Sequence, residues 1–408
     1  MRKLFIALLL VLLCLFGGCQ STPVTPPDEI IQPEEEPQPD EVLELEEEPK
    51  PAEFLQKDYK IVLYTPKIFN WMEAFNAAKS ALQRHPDKIT HLILPEMYYR
   101  GEEEKMIEIG LEAIQDPAVK AFIISTSHPQ DAFASLFAQI KEQRPDILLI
   151  AYEDVLFDPC PQVREAADIM IAIDEVSMSE KMVGQAQKLG AKTFVYYYTK
   201  NWLESDLNKR KYDAASLACQ DLGLEFIARD MGLIHNANGP VPIDIYSQVD
   251  EYGKDTNFFY PFQVYPEPMI KVILELEAIL AQLADPDMAS YFDEEMATGT
   301  PWPKLDESNP DDIELWIQAI KNKITEKGGN GRFSAWRVPT DMLALTAATE
   351  YAIRYCEGLT KGRADIEVMR ECFAKGMEIY NAAGTGFELN AHPEYSNYFL
   401  FTEDYIIF

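Results

Sequence analysis

Nine residues in short polar and aromatic clusters could hold a small polar molecule: Lys67, Trp71, Tyr98, Tyr99, Ser127, Lys200, Asn201, Trp202 and Asp230. The flat rings would stack on an apolar ligand face. The amines, hydroxyl, amide and carboxylate would fix orientation by hydrogen bonds. The same aromatics also suit core packing, and loops after strands are polar in most proteins. Covalent chemistry finds no support. Gly-x-Gly-x-x-Gly, the phosphate-cradling Gly-rich loop, Gly-x-Ser-x-Gly and His-Glu-x-x-His are all absent. The five histidines, at 85, 91, 128, 235 and 392, are scattered, so neither a metal site nor a cofactor is expected. Glu153 and Asp154 are adjacent, and neighbours on a strand point to opposite faces. The residues read as those of a binder and not of an enzyme.

A different chemistry is suggested at Cys19. It follows Phe16-Gly17-Gly18 at the end of an unbroken apolar run over 4–16, itself preceded by Arg2 and Lys3. This is the pattern of an export signal. The run is shorter than the ~20 residues that span a bilayer. Small residues leading directly into Cys resemble the lipobox of bacterial lipoproteins, although Phe16 replaces the usual Leu. In that setting the thiol receives a lipid, the signal over 1–18 is removed, and acyl chains hold the protein on a membrane. Residues 19–57 then form a tether. Between Gln20 and Glu53 lie twelve carboxylates, one lysine and eight prolines. Such a segment cannot bury enough apolar surface to offset the entropy of ordering, so an extended spacer is expected.

The elements that must position the nine residues begin at Tyr59. Short apolar runs at 59–64, 91–94, 121–125, 147–151, 169–173, 194–198 and 225–228 predict strands. Stretches with helical spacing lie at 70–84, 103–115, 132–143, 177–189 and 202–222. Gly190 and Gly223 stand where helix C-caps would. The strands are continuously apolar, as they are when both faces are covered. Repeated βα units with short loops imply parallel sheets flanked by helices. Ligands of such sheets bind beyond the carboxyl ends of the strands, and the polar clusters fall there. The body at 58–408 is expected to fold as a unit. Helices are expected near 311–326, 340–356 and 365–380, and the aromatic 395–408 could add strands.

Several segments carry a family resemblance. They are Glu251-Tyr252-Gly253-Lys254-Asp255-Thr256-Asn257-Phe258-Phe259, Glu267-Pro268-Met269-Ile270-Lys271, Asp116-Pro117-Ala118-Val119-Lys120-Ala121, 141–149 (KEQRPDILL), and Ala166-Ala167-Asp168-Ile169 continuing to Gly190-Ala191-Lys192. Together they resemble an uncharacterised family of bacterial lipoproteins with the type I periplasmic-binding-protein-like fold. The resemblance runs over about 58–283. It implies an α/β protein of two doubly wound parallel-sheet lobes joined by a hinge, with ligand held between them and helical C-terminal additions. Lobe 1 would span about 58–175 and lobe 2 about 176–300, with 301–408 contributing to both.

The 408 residues carry 36 Lys plus Arg and 68 Asp plus Glu, a net charge of −32. That excludes a nucleic-acid partner, which would need a basic face. Of the six cysteines, Cys356 and Cys372 lie on neighbouring predicted helices and are the better candidates for a disulfide, with buried free thiols as the alternative. The expectation is an extracytoplasmic monomer, anchored by lipid to the cell or outer membrane. It would bind a sugar, nucleoside or similar small polar ligand and pass it to a membrane permease or a sensor. Two alternatives stay open: an interaction lipoprotein that keeps the fold without a transported ligand and, more distantly, a hydrolase.

Overall fold

The computed structural model describes residues 58–66, 72–98, 100–126, 130–153, 161–232, 240–262, 266–287 and 309–408. Residues 51–408 make one compact unit. The expected signal, lipobox with Cys19 and tether lie outside the described residues.

The first half of the body builds a parallel sheet from β1 (Lys60–Thr65), β2 (Ile89–Ile93), β3 (Val119–Thr126), β4 (Leu148–Glu153) and β5 (Ile169–Ile173). Alternate residues of β1 go to opposite faces. Ile61 and Leu63 join one core, and Val62 and Tyr64 join another. Both faces of β1, β3, β4 and β5 are buried, which is why these strands read as unbroken apolar runs, whereas β2 at the sheet edge is only partly covered. The second core is closed by α2 (Glu103–Ala113), α3 (Gln130–Gln143) and α4 (Pro161–Ala166).

A second sheet starts with β6 (Thr193–Tyr198), β7 (Glu225–Asp230) and β8 (Thr256–Phe259), again parallel. It continues through backbone pairing of Asn257 with Ile279 and of Leu280 with Phe333. It then reaches β9 (Ser334–Trp336) and the antiparallel β12 (Tyr405–Ile407). Helices α5 (Glu175–Lys188) and α6 (Asp206–Leu222) pack on each other beside this sheet, and α7 (Pro240–Tyr252), α8 (Pro266–Glu275) and α9 (Pro310–Glu326) follow in the chain. The helix expected over 202–222 is interrupted. Trp202–Glu204 is a 3₁₀ turn, and α6 starts only after Ser205, whose extended backbone and hydroxyl cap the amide of Asn208.

Residues 340–403 are built into lobe 1. A hairpin of β10 (Phe387–His392) and β11 (Tyr395–Glu403) extends the first sheet, giving the order β10-β11-β5-β4-β3-β1-β2. β11 runs parallel to β5, and β10 is antiparallel to β11. On one face lies α10 (Thr340–Cys356), with α1 (Met72–Arg84) and α11 (Ile366–Ile379) packed against it. Helix α10 is buried nearly all round, and its Ala344, Ala347, Ala348 and Ala352 let the neighbours approach closely. Its buried Thr346 is hydrogen-bonded to the Tyr380 hydroxyl at 2.8 Å, and Thr349 donates to the Leu345 carbonyl at 2.7 Å. Cys219, Cys356 and Cys372 are free and buried, so of the two alternatives for Cys356 and Cys372 the buried free thiols are the ones formed, not the disulfide. Both thiols are enclosed in the lobe 1 core.

Among the described residues the chain crosses between the lobes three times. It leaves β5 through Asp174 into α5, leaves β9 through 337–339 into α10, and leaves β11 through Asp404 into β12. The last crossing is a single residue. Tyr405 at the start of β12 pairs with Trp336 at the carboxyl end of β9, and Glu403 is the carboxyl end of β11. One residue spans less than ~4 Å of chain per step, so the carboxyl ends of the two sheets must meet at this point.

Candidate functional site: the junction between the lobes

Both sheets reverse strand order at their first strand. The order is β2-β1-β3 in lobe 1 and β7-β6-β8 in lobe 2. The crevice beyond the carboxyl ends at such a reversal is where parallel α/β sheets hold ligands. In lobe 1 this places Thr65 and Ser125 at the crevice. The Thr65 hydroxyl is 2.9 Å from Nε2 of His91, and Glu153 at the end of β4 accepts from the Gln130 amide at 3.3 Å.

In lobe 2 the structure brings together four of the nine sequence candidates. Tyr198 pairs with Asp230 at the ends of β6 and β7. Lys200 Nζ lies 3.6 Å from the Asp230 carboxylate, whose other oxygen accepts from the Gly232 amide at 3.0 Å. Lys200 is largely exposed, so this pair is weakly held and either partner can be recruited by a ligand. Asn201 leads into the 3₁₀ turn that carries Trp202. The Trp202 ring is half-buried. It sits 6.2 Å from Tyr196 and 6.1 Å from Phe262, with the Lys211 ammonium 5.6 Å from its centre. Tyr98 is placed otherwise. It is 1% exposed and packs at 6.1 Å on Phe133 in the lobe 1 core. Lys67, Trp71, Tyr99 and Ser127 lie outside the described residues.

A row of aromatic side chains backs the lobe 2 strand ends: Tyr196, Tyr198, Tyr212, Phe226 and Phe259. Below them the Tyr197 hydroxyl donates to Asp244 at 3.2 Å, and the Arg229 Nε donates to the same carboxylate at 3.1 Å. Burial, reinforced by the Asp244 charge, pushes the Tyr197 phenol far above its ordinary value. It stays a neutral donor and holds the β6–β7 frame.

A cavity of about 690 Å³ opens at the first crossing. Its walls come from both lobes: Ile173 and Asp174 at the end of β5, the first turns of α5 and α6, and the β10–β11 turn. None of its lining residues is among the nine candidates. The β10–β11 turn lies more than 200 residues from β5 in the chain, and only strand pairing brings it there, so spacing in sequence gave no signal.

The comparisons bear on this architecture. Residues 59–334 match the model of the family described as protein of unknown function DUF3798. The chain belongs to that family. No curated protein sequence matches it. Among solved structures it is similar to a proposed transcriptional regulator from Clostridium difficile 630. That match has 21% identity and a TM-score of 0.73, over 86% of this chain and 99% of that one. An arabinose-binding protein from Geobacillus stearothermophilus matches at 10% identity and a TM-score of 0.47, over 76% and 92% of the two chains. The chain shares the fold of that regulator structure, an α/β fold with two parallel sheets of the kind the sequence resemblance implied.

Proposed function

We propose that this protein is a solute-binding lipoprotein. It is tethered outside the membrane through Cys19 and closes its two lobes on a small polar ligand such as a sugar or nucleoside. The ligand is then handed to a membrane permease or a sensor. The observation that carries the reading is the single-residue crossing at Asp404, which forces the carboxyl ends of two parallel sheets to meet. The ligand-holding edge of each lobe thus faces the other, with few chain crossings to resist a hinge motion. The Lys200–Asp230 pair and Trp202 supply the orienting and stacking groups on the lobe 2 side, and Lys67, Trp71, Tyr99 and Ser127 are proposed for the lobe 1 side. The acidic segment over 19–57 serves as a self-repelling spacer.

A thermal-shift screen of the body against sugars, nucleosides and small peptides tests the reading. A ligand at 100 times its dissociation constant adds about 2.7 kcal/mol to stability, and Asp230→Asn is expected to lose most of that gain. A broad panel that shifts nothing would remove solute binding in favour of the interaction-protein alternative. The tether is tested separately. Cys19→Ser is expected to move the protein from the membrane to the soluble fraction, and retention of the variant on membranes would sink the lipid anchor.

A further inference from the structure

The cavity at the first crossing is built of both lobes, and none of the residues lining it is among the nine sequence candidates. Its charges divide sharply. Glu175 is paired with Lys211, and Lys209 with Asp213, so these four are spent on one another. What is left facing the space is Asp174, Asp206 and Glu394 against the single guanidinium of Arg210. Among the described residues no carboxylate lies within ion-pair distance of Arg210, and Asp206 and Glu394 have no cation within that distance. Among the described residues the Asp174 carboxylate accepts only from the Ser177 amide at 3.1 Å and the Ser177 hydroxyl at 2.7 Å.

His392 adds a defined donor. Its Nδ1 accepts the Glu394 amide at 3.2 Å, which fixes the proton of the neutral ring on Nε2. The ring is braced by Tyr398, stacked at 5.3 Å and 13°, and by Tyr395 at 5.1 Å. Burial holds its pKa below the usual histidine value; the Glu394 and Asp174 charges pull against this, and the Arg164 and Arg210 charges act with it. The Nε2–H therefore donates without bringing a second full positive charge. One cation with a neutral donor suits one carboxylate. Three unspent carboxylates suit ammonium groups.

We propose that this cavity binds a small basic amino acid, with its carboxylate on Arg210 and His392 and its two cationic groups among Asp174, Asp206 and Glu394. The volume lies within the range of small-molecule sites. Because Arg210 and Asp206 belong to lobe 2 while His392 and Glu394 belong to lobe 1, such a ligand bridges the lobes beside the crossing and favours one lobe angle.

The test is titration calorimetry of the full chain with L-lysine, cadaverine, which lacks the carboxylate, and L-norleucine, which lacks the second cation. Lysine is expected to bind saturably and about tenfold or more tightly than either analogue, a difference of about 1.4 kcal/mol per decade. Arg210→Ala is expected to erase the preference for lysine over cadaverine, and Glu394→Gln the preference over norleucine. Both side chains are exposed, so unchanged melting of the variants confirms that they fold. Absence of saturable lysine binding at roughly 10 mM, or lysine binding that is unaltered in both variants, overturns the proposal.

Discussion

Glu403 should make the stability of this protein fall as pH rises through the neutral range. The residue ends β11 at the third crossing and is fully buried. One carboxyl oxygen accepts the Val338 amide at 3.3 Å, and the other has no hydrogen-bond partner among the described residues. Burial raises its pKa well above the ordinary carboxyl value. The Asp287 and Asp404 charges push the same way, against weaker pulls from the Val338 amide and Arg337. The folded carboxyl is therefore protonated where the unfolded one has ionised. The folded state binds more protons, so the contribution is fully present below the ordinary value near 4.5 and is lost as pH climbs toward the raised value. Each pH unit in that window removes about 1.4 kcal/mol. Glu403→Gln keeps the shape and the acceptor for Val338 but cannot ionise. Urea unfolding of both proteins from pH 4.5 to 8 is the assay. The variant is expected to gain on the wild type steadily as pH rises. Parallel stability curves for the two proteins would refute the argument.

Three further outcomes follow from packing. Burial pushes the thiols of Cys219, Cys356 and Cys372 up to about 12, so none of the three should react with a thiol reagent at pH 8 until the chain is unfolded, and a labelled residue in native protein, located by peptide mapping, would contradict their placement. Trp336 is fully buried at the second crossing against Phe401 at 6.3 Å and Tyr405 at 6.4 Å; Trp336→Ala should cost about 3–5 kcal/mol in chemical denaturation, and a loss under about 1 kcal/mol would count against it. At Gly110, in α2, an added Cβ would lie 2.8 Å from Leu136 Cδ1 of α3; Gly110→Ala should lower stability by about 1–3 kcal/mol, read as a drop in melting temperature, whereas a rise would mean the helix pair is looser than described.

The sequence by itself determined the parallel α/β class, because strands buried on both faces must be continuously apolar and their linking helices must be amphipathic. It also placed Lys200, Asn201, Trp202 and Asp230 together, since each stands just past a strand that the pattern marks. Their distances and the Lys200–Asp230 pairing came from the register of β6 and β7. Tertiary structure decided the rest. Tyr98 looks like a ligand-stacking ring in the chain, but a fully covered site against Phe133 makes it core, and burial cannot be read from residue type. The helix expected from Trp202 starts four residues later because Ser205 caps it. The free thiols of Cys356 and Cys372 depend on how α10 and α11 pack. The cavity with Arg210, His392 and Glu394 exists only because β11 pairs with β5 across more than 200 residues. Local patterning sets which elements form. Pairings between elements far apart in the chain, with almost no local signature, set where charged side chains meet.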